Sequence, residues 1–283
     1  MTRVGFVGLG TMGTPMASNA LRAGFDLMVF DLEEASMHDL GSRGAKVASS
    51  AREVGAHSEV VELAVPDDAA VLAAVLGNDG VLAGAQPGTV IAIHSTIQPK
   101  TVHAVANSAK ERGVDVLDVQ MTGARQGAEG QKLLFMVGGD EAVLERCRPI
   151  FAASASHVIH MGPLGMGAVT KAAQQAMTVV NLLAATEGIR LARKAGVDLD
   201  AFFEVLSLST AQSFVADNRM GFPPEFGGPP RGAMGDPRPF YRGLRAVLGL
   251  AYELDVPLPA TALAQQTVPW AFGPPDRPTQ PQS

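Results

Sequence analysis

The stretch Thr2–Asp31, "TRVGFVGLGTMGTPMASNALRAGFDLMVFD", passes from a β-rich run, Val4 to Val7, straight into Gly8-Leu9-Gly10-Thr11-Met12-Gly13. This is G-x-G-x-x-G between a strand and a helix-compatible segment that stops at Gly24; a second apolar strand, Leu27 to Phe30, follows and ends at Asp31. Each residue type has a task in holding a dinucleotide. Gly8 permits a tight turn, Gly10 lets the backbone approach a pyrophosphate, and Gly13 lets helix and strand pack closely, while the helix N-terminus brings the positive end of its dipole. Leu9, Thr11 and Met12 complete the cofactor-binding loop. Asp31 follows Gly8 by 23 residues, where a carboxylate reaches the adenine-ribose hydroxyls and repels a 2′-phosphate. No Arg or Lys follows it before Arg43, which favours NAD over NADP.

The same alternation continues downstream. Glu59 to Val65 and Thr89 to His94 are strand-like, each followed by a proline-marked turn and a helical segment, 67–76 and 98–112. Further strands are predicted at Val114–Val119, Leu133–Val137 and His157–His160. The pattern is that of an α/β Rossmann domain with a doubly wound sheet. Val65-Pro66 and Ser95-Thr96 fall just past carboxyl ends of strands, where this architecture forms its ligand crevice, and are candidate cofactor contacts; a purely structural Val65-Pro66 turn is the alternative. His157 and His160 are three apart on a strand and point to opposite faces with no acidic cluster beside them, so no metal site is expected.

From Gly165 onward the periodicity is helical: 166–194, an amphipathic segment at 198–209, then 240–254 and 259–270. An all-α C-terminal domain therefore follows the Rossmann domain, with boundaries at 1–162 and 163–272. The glycine- and proline-rich stretch 221–239 is expected to be a loop, and the tail 273–283 disordered. Between Gly165 and Glu187 the only charged side chain is Lys171. Lys171, Gln174, Gln175 and Thr178 stand at i, i+3, i+4 and i+7, one polar stripe on an apolar helix. Burial of an ammonium there is costly without a purpose, and desolvation lowers a lysine pKa toward a working range, so Lys171 is a candidate catalytic residue.

Composition excludes several function classes. The 283 residues carry a formal net charge of -6, with no basic stripe to neutralise nucleic acid phosphates. Cys147 is the only cysteine, which rules out disulfide frameworks and cysteine-based zinc sites. The apolar run 166–186 is long enough to span a bilayer, but Lys171, Gln174, Gln175, Thr178 and Asn181 make it a poor membrane segment. With the first strand beginning at Thr2 or Arg3, no cleavable leader is expected, and the protein is expected to be cytoplasmic.

Jointly, "GFVGLGTMGTPMASNALRAG", "STIQP", "DVQMTGARQGAEGQKLLFMVGG" and "GPLGMGAVTKAAQQ" resemble the β-hydroxyacid dehydrogenase family over about residues 1–270. The resemblance implies a dimer or tetramer assembled through the helical domain and a small-molecule substrate, a β-hydroxy acid oxidised with NAD. It makes Lys171 the general acid/base. It assigns the substrate carboxylate to Thr122-Gly123-Ala124, and gives Gln175 the place of a substrate-positioning asparagine and Thr96 that of a cofactor contact. Departures cluster near the expected substrate site. Ala246-Val247 stand where the family carries Lys-Asp, Gln174-Gln175 replace an Asn pair, Ala124 replaces a glycine and Gln120 a proline. Arg125 is a candidate replacement for the missing positive charge, since its planar fork suits a carboxylate; otherwise it is a solvated loop residue. Two alternatives stay open: an NADPH-dependent imine reductase, against which Lys171 and Asp31 both speak, and a dinucleotide-binding protein without turnover.

Overall fold

A computed structural model describes residues 1–219 and 238–272, with side chains at 1–219 and 243–267. The predicted loop at 221–237 and the tail at 273–283 lie outside the described residues. The first part of the chain alternates strand and helix: β1 (Arg3–Val7), α1 (Gly13–Arg22), β2 (Asp26–Phe30), α2 (Ala35–Ser42), β3 (Lys46–Val47), α3 (Ala51–His57), β4 (Val60–Leu63), α4 (Asp68–Leu76), α5 (Val81–Gly84), β5 (Val90–Ile93) and α6 (Pro99–Lys110). It continues with β6 (Asp115–Thr122), α7 (Ala124–Glu129), β7 (Leu133–Gly138), α8 (Glu141–Phe151) and β8 (Ala155–Gly162). Helices alone follow: α9 (Met166–Lys194), α10 (Leu199–Leu208), α11 (Phe214–Asp217), α12 (Arg238–Glu253) and α13 (Pro259–Phe272). The prolines at 259 and 239 sit in the first turn of α13 and α12, where a missing N–H costs nothing; Arg238 and Pro239 thus belong to a helix and not to the predicted loop.

One eight-stranded sheet runs in the order β3-β2-β1-β4-β5-β6-β7-β8. All neighbours pair in parallel except β6 and β7, which are antiparallel. The order reverses between β1 and β4, the topological switch point at which this architecture opens its ligand crevice. Near-continuous apolar runs in the strands match burial on both faces. One apolar layer gathers Phe6, Leu27, Leu117, Phe135, Leu144 and Phe151. The other gathers Leu63, Val71, Ile91, Ile93, Val102 and Val105.

The chain divides into two compact units, Met1–Lys171 and Ala172–Ser283. The second has its own apolar clusters: Leu182, Ile189, Phe203 and Val215 from α9, α10 and α11, and Val179, Leu244 and Ala264 from α9, α12 and α13. Among the described residues no helix is long and apolar enough to cross a membrane.

Candidate active site

The glycine motif forms the turn from β1 into α1. Gly8 has φ +93°, and a β-carbon on it would fall 2.5 Å from the Ala64 carbonyl oxygen; only glycine fits by conformation and by space. At Gly13 a β-carbon would lie 1.9 Å from the Gly8 carbonyl oxygen, so the first turn of α1 rests directly on the loop. Gly10 differs from both, for a β-carbon there would meet no atom of the described residues within 4 Å. None of those residues demands glycine at that position, whereas a ligand pressed against the backbone would. The N-cap of α1, Met12, makes no side-chain capping bond, and no acid stands in the first turn. That helix end is therefore open to an anion, and the residues fit a bound dinucleotide.

Asp31, at the end of β2, accepts a hydrogen bond from Leu9 N at 2.6 Å on Oδ2 and one from Glu33 N at 2.8 Å on Oδ1. Its carboxylate thus sits against the glycine loop, and each oxygen keeps a second lone pair. The nearest downstream cation is engaged elsewhere: Arg43 Nη1 donates to Asp39 Oδ2 at 2.9 Å and to Ser18 Oγ at 3.1 Å.

The loops after β4 and β5 are tied to each other and to β6. Val65 N donates to Ser95 Oγ at 2.9 Å, and Gln120 Nε2 donates to the Ser95 carbonyl at 2.9 Å. Asp68 Oδ1 accepts from Gln98 N at 3.0 Å and from Thr101 Oγ1 at 2.6 Å, fixing the start of α4 to the start of α6. Ser95 and Gln120 are buried, whereas Pro66 and Thr96 are exposed at the ends of their strands.

Beyond Thr122 the chain turns through Gly123 at φ +128° and Ala124 at φ +53° into α7. Gly123 and Ala124 are exposed, presenting backbone at the end of β6. Arg125 Nε donates to Glu129 Oε1 at 2.7 Å with both side chains largely in solvent, so its charge is already paired along its own helix.

Lys171 stands about a turn and a half into α9 and is partly buried; burial lowers its pKa to about 8. The start of α9 is held by Asp118 of β6. Gly165 N donates to Asp118 Oδ1 at 2.7 Å and Ala168 N to Oδ2 at 2.7 Å. Burial raises the Asp118 pKa, and those two N–H groups pull it the other way. The polar stripe further along α9 is divided in use. Gln174 Nε2 donates to Thr178 Oγ1 at 2.9 Å, whose hydroxyl donates to the Gln174 carbonyl at 3.0 Å. Gln175 instead lies against Gly243 of α12, with Oε1 buried and without a hydrogen-bond partner among the described residues. Val247, at the family's Asp position, is buried.

Sequence reasoning missed the role of Asp118 and took Gln120 only as a replaced proline. The available signal was an acid and an amide two residues apart among the buried apolar residues of β6, where a polar side chain must find partners. The two histidines of β8 are engaged separately: His157 Nδ1 lies 3.0 Å from Ser156 Oγ and His160 Nε2 lies 2.8 Å from the Gly139 carbonyl. Among the described residues no group of metal-ligating side chains forms.

Two family models match the chain in succession. The NAD binding domain of 6-phosphogluconate dehydrogenase covers residues 3–162. The family described as NAD-binding of NADP-dependent 3-hydroxyisobutyrate dehydrogenase covers 165–272. The NAD-dependent L-serine dehydrogenase of Pseudomonas aeruginosa is 36% identical over 217 residues, 77% of this chain and 73% of that one. The 2-(hydroxymethyl)glutarate dehydrogenase of Eubacterium barkeri is 31% identical over 267 residues, 93% of this chain and 87% of that one. Among solved structures, Mycobacterium tuberculosis 3-hydroxyisobutyrate dehydrogenase with L-serine superposes with a TM-score of 0.86 at 28% identity, covering 98% of this chain and 96% of the other.

Proposed function

The chain belongs to the β-hydroxyacid dehydrogenase family, and we propose that it oxidises a primary alcohol β to a carboxylate, with Lys171 as the general acid/base. It is an NAD-dependent oxidoreductase of CH–OH groups; the assignment of residues and of the substrate class is our reading. L-serine and 2-(hydroxymethyl)glutarate, named for two relatives, share the unit HO–CH2–CH–COO⁻. The observation that carries the proposal is Lys171 itself, partly buried on an apolar helix with its pKa lowered to about 8. A group titrating there is poised to take or give a proton near neutral pH.

Residues 1–162 form the cofactor-binding domain in this reading. The loop Gly8, Leu9, Gly10, Thr11, Met12 and Gly13 with the N-terminus of α1 would hold the pyrophosphate, Asp31 the adenine ribose, and Val65, Pro66, Ser95 and Thr96 the nicotinamide end. NAD, when bound, supplies the hydride acceptor. Neutral Lys171 accepts the hydroxyl proton as the substrate carbon becomes a carbonyl; in reduction, its ammonium returns that proton to the forming alcohol. The substrate carboxylate falls to Thr122 and the exposed backbone of Gly123 and Ala124. Gln175, from residues 163–272, would orient the hydroxyl end. Arg125 joins the carboxylate only by leaving Glu129, so Thr122-Gly123-Ala124 is the primary holder.

Assembly as a homodimer or homotetramer through the helical residues is part of the same reading. It is supported by exposed apolar side chains at Leu191, Leu208, Phe214 and Tyr252. Cys147, the single and buried cysteine, fits a cytoplasmic setting. The test is NADH formation from NAD across β-hydroxy acids, matched imines and non-acidic alcohols, with wild type and Lys171→Ala in parallel. Turnover of a β-hydroxy acid that Lys171→Ala lowers at least ~100-fold is expected. Turnover indifferent to Lys171, or confined to imines, would overturn the reading.

A further inference from the structure

We propose that Asp118 is a positioning residue for Lys171, acting through the first turn of α9. The inference rests on Lys171 being the acid/base. In β6, Leu117 and Val119 are fully buried in one apolar layer of the sheet, so by strand alternation Asp118 points to the other face, together with Gln120 and Thr122. Asp118 is 0% exposed. Its oxygens are each taken by one backbone N–H at the start of α9, Gly165 N on Oδ1 and Ala168 N on Oδ2, both at 2.7 Å. Amides at a helix N-terminus lack intrahelical acceptors, and the helix dipole favours an anion there. A carboxylate is the side chain that meets both demands. Asparagine would turn an NH2 group toward one of the two N–H donors, and an apolar residue would leave both donors buried and unbonded.

Two glycines make the joint tight. A β-carbon at Gly138 of β7 would fall 2.3 Å from Asp118 Oδ1 and 2.9 Å from Gly167 N. A β-carbon at Gly167 would fall 2.7 Å from Asp118 Oδ2, from the Asp118 carbonyl and from the Met136 carbonyl. The start of α9 is therefore seated directly on β6 and β7, with no side chain between to yield. Lys171 follows Ala168 by three residues, about 4.5 Å along the helix axis. Thr122 follows Asp118 by four residues on the same face of β6, about 13 Å along the strand. One carboxylate thus fixes the strand that ends in the proposed substrate turn to the helix that presents the lysine. A displacement of ~1 Å between reacting groups is enough to cost ~100-fold in rate. The titratable side chain beside this joint among the described residues is His103 of α6, whose Nε2 would lie 3.1 Å from a β-carbon on Gly165.

The test compares wild type, Asp118→Asn and Gly167→Ala by two readouts. The first is kcat and KM together with NAD affinity. The second needs no turnover: the pH dependence of acetylation of Lys171 by acetic anhydride, followed by peptide mass spectrometry, with Lys110 and Lys132 as internal references. We expect Asp118→Asn to lower kcat 10- to 100-fold with NAD affinity within about twofold, and to move the Lys171 acetylation midpoint from about 8 upward toward the ordinary 10.5. Gly167→Ala keeps the carboxylate and displaces the helix, and serves if Asp118→Asn does not fold; the same upward move is expected. A folded variant with the wild-type kcat and an unmoved midpoint overturns the inference. Failure of the acid/base assignment is distinguished by Lys171→Ala, which would then retain turnover while the acetylation midpoint still reports on Asp118.

Discussion

Gln175 and Gly243 occupy one another's space: a β-carbon at Gly243 would stand 2.7 Å from both Nε2 and Oε1 of Gln175. The carboxamide of α9 is laid against bare backbone of α12, and the extra methylene relative to the family's asparagine is taken up where α12 has no side chain. Glycine inside a helix costs about 0.5–1 kcal/mol relative to alanine, so this position sacrifices helix stability to seat the amide.

Gly243→Ala should accordingly depend on its partner. In wild type it pushes the flexible end of Gln175 aside, and that shift offsets most of the gain in helix propensity. In a Gln175→Ala background the clash is gone, and the same substitution should stabilise by about 0.5–1 kcal/mol through helix propensity. A double-mutant cycle by urea denaturation measures this; additive effects would show that the two residues do not compete for space.

Lys171 gives a pH dependence whose sign follows from its pKa of about 8, lowered by burial from 10.5. Oxidation requires the neutral amine, so kcat for the alcohol should rise with pH and level off above about 8, while reduction should fall over the same range. Stability follows the same protons. Between 8 and 10.5 the unfolded chain holds a proton on this lysine that the folded chain has released, so stability increases with pH across that window. Lys171→Met should be more stable than wild type at pH 7, and the gap should narrow as pH rises through the window. A constant gap would contradict burial as the cause.

The strands and the cofactor loop were legible because backbone and side-chain demands coincide there. Gly8 and Gly13 are glycine for steric reasons internal to the protein, and Asp31 stands where β2 must end. The two-residue β3 was not legible, since Lys46-Val47 is too short for a pattern, nor was the antiparallel pairing of β6 with β7. Parallel and antiparallel strands buried on both faces read alike, and only the connection distinguishes them. The role of Asp118 escaped because its partners are backbone amides of Gly165 and Ala168, 47 and 50 residues away. Backbone donors leave no residue-type signature.

Ala124 carries φ +53°, in the left-handed region, at the position where the family has glycine. A non-glycine residue held there costs about 1–2 kcal/mol. Ala124→Gly should relieve part of that strain and stabilise the protein by about 0.5–1 kcal/mol, the gain being reduced by the greater freedom of glycine in the unfolded chain. Thermal unfolding checks it; a destabilised Ala124→Gly would mean that the methyl group makes compensating contacts at the turn.

Glu62 and His94 form a pair inside the sheet that the proposed chemistry does not use. Oε2 of Glu62 stands 3.3 Å from His94 Nε2, without the alignment of a hydrogen bond, and the two side chains are 5% and 0% exposed. His94 Nδ1 lies 3.0 Å from the Val119 carbonyl, and therefore carries a proton to donate, which turns Nε2 toward the carboxylate. The imidazole packs against Phe135 and Phe151 with ring centroids 5.1 and 6.1 Å away. Such a pair is expensive to break and cheap to replace, because removing one member leaves the other buried in an apolar layer. Glu62→Leu and His94→Leu should each destabilise by about 3–5 kcal/mol, whereas the double variant should lie within about 1–2 kcal/mol of wild type. The cycle is read by chemical denaturation, with NADH formation as a check that the sheet has kept its register. Additive losses in the double variant would instead mean that Glu62 and His94 each contribute through separate partners.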